Sequence, residues 1–228
     1  MGTAALLALA LAAAAPAHGN VAFVGCPSDG QTGPRPAPRR GVVPHVPRAF
    51  ASRLAYYASG DLGVLAPRGW HCFGLYGSNG SVLIVTPQVV RDPLSATRLR
   101  GPAVQIGESL GATSGRFEVA RVIAQAFPAR LDFARRVAAE GIGDPLPNGP
   151  VATDRIVPLR PTVVAYTTPA GRAGLGTDSR LAPDDRRIDG LAVLDPNGDM
   201  NLVKLDVRLP AGQAALARAI LNAALPRR

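Results

Sequence analysis

Residues Trp70 to Pro87 read W-H-C-F-G-L-Y-G-S-N-G-S-V-L-I-V-T-P. Two runs of strand character flank Asn79-Gly80. Both of those residues tolerate positive φ, so the stretch predicts a β-hairpin. Pro87 ends the second strand, because it has no N–H to offer a ladder.

Working outward, Ala103 to Ile106 is a further strand candidate, and the last third of the chain reads as strands. Ile156 to Leu159 and Thr162 to Thr167 come first, and Ile188 to Leu194 and Leu202 to Leu209 follow, joined by D-P-N-G-D-M-N. In the final strand Val203, Leu205, Val207 and Leu209 alternate with Lys204, Asp206 and Arg208, which predicts one face in the core and one in solvent. Helices are expected at Pro47 to Ser59, with Phe50, Leu54 and Tyr57 on one face and Gly60 at the stop. Ser114 is expected to cap a helix running to Phe127, with Phe117, Ala120, Ile123, Ala124 and Phe127 inward. Pro128 either kinks that helix or starts a second one reaching Glu140, and Ala211 to Leu225 closes the chain as a helix. Strands cluster apart from helices and connect as hairpins. The expected fold is therefore α+β: a mostly antiparallel sheet packed by three to four helices, as one domain over residues 47–228.

Upstream lies an N-terminal arm, residues 20–46. After the apolar Val21 to Val24, the run C-P-S-D-G-Q-T-G-P-R-P-A-P-R-R-G is too rich in Pro and Gly for a helix, so Pro27 to Gly41 is read as a surface arm. Its Cys26 and the hairpin's Cys72 are the two cysteines of the chain. An even count in an oxidising compartment favours a disulfide. The alternative, a lipid-anchored Cys26 after F-V-G, would strand Cys72, and His18 and Asn20 separate it from the apolar run that begins the chain.

That run, Ala4 to Ala15, has the length of a signal-peptide core and is too short to span a bilayer. Ala15 and Ala17 form an A-x-A cleavage pattern, with Ala17 and Gly19 as an alternative. No Lys or Arg precedes the run. Residues 1–19 are thus expected to be a signal peptide, which places the protein in the periplasm or outside the cell with no transmembrane segment after cleavage.

The net charge is +9, and Lys204 is the single lysine among 25 basic residues. The arginines are scattered and no basic stripe interleaves with aromatics, which argues against a specific nucleic-acid surface. An anionic envelope component or another protein remains as partner.

No constellation of catalytic residues emerges. His45 and His71 are the histidines left after cleavage, and neither lies near a G-x-S-x-G elbow. Lys204 is expected on a wet face, paired cysteines exclude thiol catalysis, and no zinc-site spacing occurs. Asp184-Asp185 diverge as neighbours, and Glu108, Glu118 and Glu140 are the only glutamates, so no acid pair is brought to a cleft. Asp195, Asn197, Asp199 and Asn201 occupy alternating positions of a calcium loop, but Met200 replaces its glycine, and Asn197-Gly198 reads as a hairpin turn. Gly171, Gly174 and Gly176 with Arg172 could hold an anion through backbone N–H groups, and Trp70 with His71 could offer a ligand platform. These six residues are the candidate ligand loop. No cofactor or metal site is expected.

The segments A-P-R-G-W-H-C-F-G-L-Y-G-S-N-G at Ala66 to Gly80, T-T-P-A-G-R-A-G-L-G-T-D-S-R-L, and V-R-L-P at Val207 to Pro210 resemble an uncharacterised family of exported bacterial proteins. The resemblance implies export and a shared fold, and it transfers no activity. The expected function is a non-catalytic binding or envelope-associated protein. The alternative is a hydrolase that attacks envelope polymers through carboxylates.

Overall fold

A computed structural model describes residues 18–94, 98–178 and 180–226. The expected signal peptide lies almost wholly outside these residues. The fold is α+β, as the sequence predicts. In chain order the elements are β1 (His18–Gly19), β2 (Ala22–Gly25), β3 (Ser28–Gly30), β4 (Val46–Pro47), α1 (Arg48–Ala51), β5 (Leu54–Ser59), β6 (Leu62–Pro67), β7 (His71–Gly77), β8 (Gly80–Thr86), β9 (Ala103–Ser109), α2 (Arg116–Ala126), α3 (Leu131–Ala139), β10 (Arg155–Arg160), β11 (Val163–Thr168), β12 (Ile188–Asp195), β13 (Asn201–Arg208) and α4 (Ala214–Ala224).

An eight-stranded sheet of order β10-β11-β12-β13-β9-β8-β7-β3 forms the centre. Every neighbouring pair in it is antiparallel except β3 with β7. A smaller sheet, β2-β5-β6, stacks on one face. Leu83, Val85, Val104, Ile106, Leu191, Leu205 and Val207 of the large sheet meet Leu54, Tyr57, Val64 and Leu65 of the small one, with Leu216 and Ile220 of α4 closing the core. The opposite face is covered in three parts. Helices α2 and α3 bury Val164, Ala192, Leu194 and Leu202. Phe73, Leu75 and Ile84 form an apolar cluster at the far side. Between them runs the long segment 169–187, whose described residues form no strand or helix.

The helix expected over Pro47 to Ser59 is corrected. Only Arg48–Ala51 is helical, and Leu54–Ser59 is a strand hairpinned to β6. The i, i+4, i+7 spacing of Phe50, Leu54 and Tyr57 misled. Leu54, Ala55, Tyr57 and Ala58 are all buried, because this strand sits between β2 and β6 with both faces covered. A run apolar on every side gives no period by which helix and strand can be told apart. Gly60, expected to stop the helix, turns the β5–β6 hairpin at φ +57.

The decisive hairpin is present but shifted by one residue. Gly77 pairs with Gly80, so Ser78-Asn79 form the turn. Gly80 is already in the strand at φ +137, where a Cβ would collide with the Glu108 carbonyl of β9. Helix α2 begins two residues after Ser114, whose side chain caps nothing; Thr113 Oγ1 instead accepts the Gly115 N–H. Pro128 does start a second helix, through a 3₁₀ turn into α3.

The arm is built into the sheets. Strand β2 pairs parallel with β5, and β3 pairs parallel with β7. Cys26 and Cys72 form the expected disulfide, with Cα atoms 5.5 Å apart and Cys26 fully buried. No helix among the described residues is long and apolar enough to cross a membrane.

Candidate functional site

Strand β13 does not have the wet face its alternation predicts. Lys204 is 6% exposed, and Asp206 and Arg208 are fully buried. They point into the gap between α2 and the Phe73 cluster, and residues 169–187 cover them. Register places Asp206 beside Gln105 of β9 and Gly190 of β12, and Lys204 beside Gly107 and Ala192. Tyr166 of β11, next to Gly190, fills the space that glycine leaves; a Cβ there would strike its ring.

The buried charges are fully engaged. Lys204 Nζ donates to the Leu175 carbonyl at 2.8 Å and lies 3.4 Å from both Asp178 and Asp206. Tyr166 donates its hydroxyl to Asp206 Oδ1 at 2.5 Å. Gln105 Nε2 donates to Asp178 Oδ2 at 2.5 Å and reaches Asp206 Oδ2 at 3.5 Å. Because its amide nitrogen must face the two carboxylates, its Oε1 faces away, buried and without a partner among the described residues. Arg208 donates to the carbonyls of Gly101, Ala182 and Leu99 at 2.5, 2.6 and 2.9 Å.

Burial and charge set the protonation of the cluster. Burial would lower the Lys204 pKa, but the Asp206 and Asp178 carboxylates outweigh it and raise the pKa, so the amine stays an ammonium. Burial pushes Asp206 up to about 6 against the pull of Lys204. For the less enclosed Asp178, burial is outweighed by Lys204 and the Leu181 and Arg180 N–H groups, which hold its carboxyl below the usual range. Burial and the Asp206 carboxylate raise the Tyr166 hydroxyl well above its ordinary value. At neutral pH the cluster therefore offers fixed charges and donors. An ammonium that cannot shed its proton is neither a nucleophile nor a base.

Beside this cluster opens a cleft of about 540 Å3, lined by Gln105, Gly107, Glu118, Arg121, Thr177, Asp178, Arg180 and Lys204 among others. Gly107 makes its floor: without a side chain beside Lys204, the sheet is left uncovered at that point. Arg121 and Glu118 form a side-on ion pair at 2.6 and 2.7 Å on the α2 wall. Asp178 anchors the opposite wall, its Oδ1 accepting the N–H groups of Arg180 and Leu181.

None of the six residues of the candidate ligand loop lines this cleft. Trp70 packs on the core beneath the small sheet, with its backbone N–H donated to the Tyr57 hydroxyl, and His71 is exposed at the start of β7. Gly171 and Arg172 lie exposed at a turn. The glycine-loop N–H groups that could cradle an anion are used internally. Gly174 donates to Thr177 Oγ1, Leu175 to Asp154 Oδ2 and Gly176 to Thr168 Oγ1. Gly174 is required because the Asp154 carboxylate sits where its Cβ would be. The calcium-like segment is a hairpin: Asp195 pairs with Asn201, Asp195 Oδ1 accepts the Asn197 N–H, and Asn201 Oδ1 accepts the Gly111 N–H. Asp184 and Asp185 both bind Arg186.

Sequence reasoning missed the cluster because it placed Lys204 in water. One signal was present: residues 169–187 form an irregular segment longer than an ordinary connection, and such segments usually cover or build a site. No family model, curated protein or solved structure matches this chain.

Proposed function

We propose that this is an exported, non-catalytic binding protein of the cell envelope, and that its ligand site is the cleft floored by Gly107. The observation that carries the reading is the state of the charges there. Lys204 is locked as an ammonium, Asp178 is ionised and hydrogen-bonded, and Asp206, whose carboxyl titrates near 6, is sealed from the cleft. Such a wall recognises a polar molecule and does no proton transfer. The wall also carries the Arg121–Glu118 ion pair, so the ligand is a small polar envelope constituent rich in N–H or O–H groups that pair with Asp178 and Glu118. Export is supported by the apolar run Ala4 to Ala15 and by a buried disulfide, which forms in oxidising compartments.

An NMR titration of the labelled protein with amino sugars and soluble peptidoglycan fragments tests the site. Shifts should centre on Gly107, Gln105 and Asp178 and vanish in Gly107→Val, whose side chain fills the cleft. Shifts confined to other surfaces, or none with any member of the panel, refute it. Mass spectrometry of the protein from envelope fractions should find an N-terminus between His18 and Asn20; an intact Met1 overturns export by this route.

One observation favours the hydrolase alternative. Asp178 and Asp206 share Lys204, and their carboxyls are pushed in opposite directions, the pattern of a paired acid and base. Opening of the loop over Asp206 would be needed for it to act. Release of fragments from purified envelope polymer, abolished in Asp178→Asn, would establish that reading over the first.

A further inference from the structure

We infer that the arginine-rich face formed by the arm, α1 and the β6–β7 loop docks this protein on an anionic phospholipid surface. Charge is unevenly divided along the chain. Between Asp29 and Asp61 there is no acidic residue but five arginines, and Arg68 follows before the next acid, Asp92. Arg39, Arg40, Arg48, Arg53 and Arg68 are all exposed, and none has an acidic partner among the described residues. Among the described residues, the ion pairs formed by Arg116, Arg121, Arg136, Arg186, Arg187 and Lys204 all lie from Arg116 onward.

The fold gathers these arginines on one lobe. Pro38 lies against Gly25 and Gly41 against the Phe23 ring, so the arm runs back across the face of β2 that carries Phe23 and lays Arg39-Arg40 over it. Phe23 stands opposite Tyr56 of β5 in the register. Just before β5, the Arg53 carbonyl accepts the Arg68 N–H at 2.9 Å, and Arg48 abuts Gly19 at the same end.

The apolar group in their midst selects a membrane as the partner. Val42 is 91% exposed, the most exposed of the large hydrophobic side chains, while its neighbour Val43 packs on the core. A soluble polyanion would satisfy the arginines and leave Val42 in water. A headgroup layer takes both, the guanidinium groups on phosphates and the side chain at the acyl boundary. Pro36, Pro38, Pro44 and Pro47 stiffen the segment, so docking orders little chain.

Vesicle flotation of the purified protein tests this, with phosphatidylcholine vesicles against vesicles also containing phosphatidylglycerol. The protein should float only with the anionic vesicles, and less as salt rises. Arg39→Glu/Arg40→Glu/Arg53→Glu should weaken binding by at least about tenfold. Arg135→Glu/Arg155→Glu/Arg172→Glu reverses the same charge at exposed sites elsewhere and should leave binding within about twofold. Val42→Ser should cost about threefold. Equal Tm values confirm that all variants fold. No flotation, equal loss from both triple variants, or capture by soluble polyphosphate without flotation overturns the proposal.

Discussion

Leu205 and Val207 point from β13 into the core beneath the small sheet, and each is almost fully buried. Lys204, Asp206 and Arg208 point the other way from the same strand and are buried as well. The two faces reach the same burial by different physics. The apolar face needs only area, worth roughly 25 cal/mol per Å2 removed from water. The charged face must find a partner for every buried donor and acceptor or lose several kcal/mol for each ion. Its partners are carbonyls and a carboxylate of irregular segments: Leu99, Gly101, Leu175, Asp178 and Ala182. The cations of one strand thus hold two loops in place. The cover of the apolar face is tied covalently through Cys26–Cys72, and that of the charged face ionically.

Arg208→Met should have the largest effect. It leaves three carbonyls without their donor, for a loss of about 5 kcal/mol in urea unfolding. Amide exchange should quicken in residues 98–102 and 180–184 while the small sheet stays protected. Leu205→Ala, at a cost of about 3 kcal/mol, should leave those loops protected. A neutral Arg208→Met would mean that the charged face does not stabilise the fold and that its charges serve another purpose.

Reduction of the disulfide should act on the other side of the sheet. A bridge spanning 46 residues contributes up to about 4 kcal/mol in the chain-entropy account. The melting temperature should fall and protease should cut the arm, with exchange in residues 174–182 unchanged. Loosening of both covers together would show that the two faces are coupled.

The ionic tie should depend on pH. Asp206 has a raised carboxyl, about 6 folded against about 4 unfolded. The folded state therefore binds more protons between those values. Its contribution is present in full below pH 4 and is lost as pH rises through 6, a span of about 3 kcal/mol. Asp178, lowered, acts in the opposite sense and only below about pH 4. Unfolding free energies at pH 4.5 to 7 should thus decline for this reason in the native protein and lose that slope in Asp206→Asn. An unchanged slope would show that Asp206 does not titrate in this window.

Gly107→Val should affect stability least. Its Cβ meets Ser81 and Val82 at 3.4–3.9 Å, ordinary contacts, so the change should stay within about 1 kcal/mol. A large loss would mean that the floor of the cleft is a packing requirement and not an opening.

Much of the fold was legible because strand alternation, turn residues and an even cysteine count are local signals. The hairpins β7–β8 and β12–β13, strands β9 to β13 and the α2–α3 pair all follow from them. Strand β5 was not legible, since burial of both its faces erased its period. The turn at Ser78-Asn79 was missed by one residue, because the close approach of Gly80 to β9 outranked the local preference of Asn79-Gly80.

The candidate site divides in the same way. From its own residues, the sequence determined that β13 has two unlike faces, since a period of two sorts side chains without reference to anything else. What lies over each face depends on segments distant in the chain, α2 and residues 169–187 on one side and α4 with the small sheet on the other. The tertiary structure alone decided that Lys204, Asp206 and Arg208 are interior, because a charge enters a protein only where other parts of the chain bring its counter-charges and carbonyls to meet it.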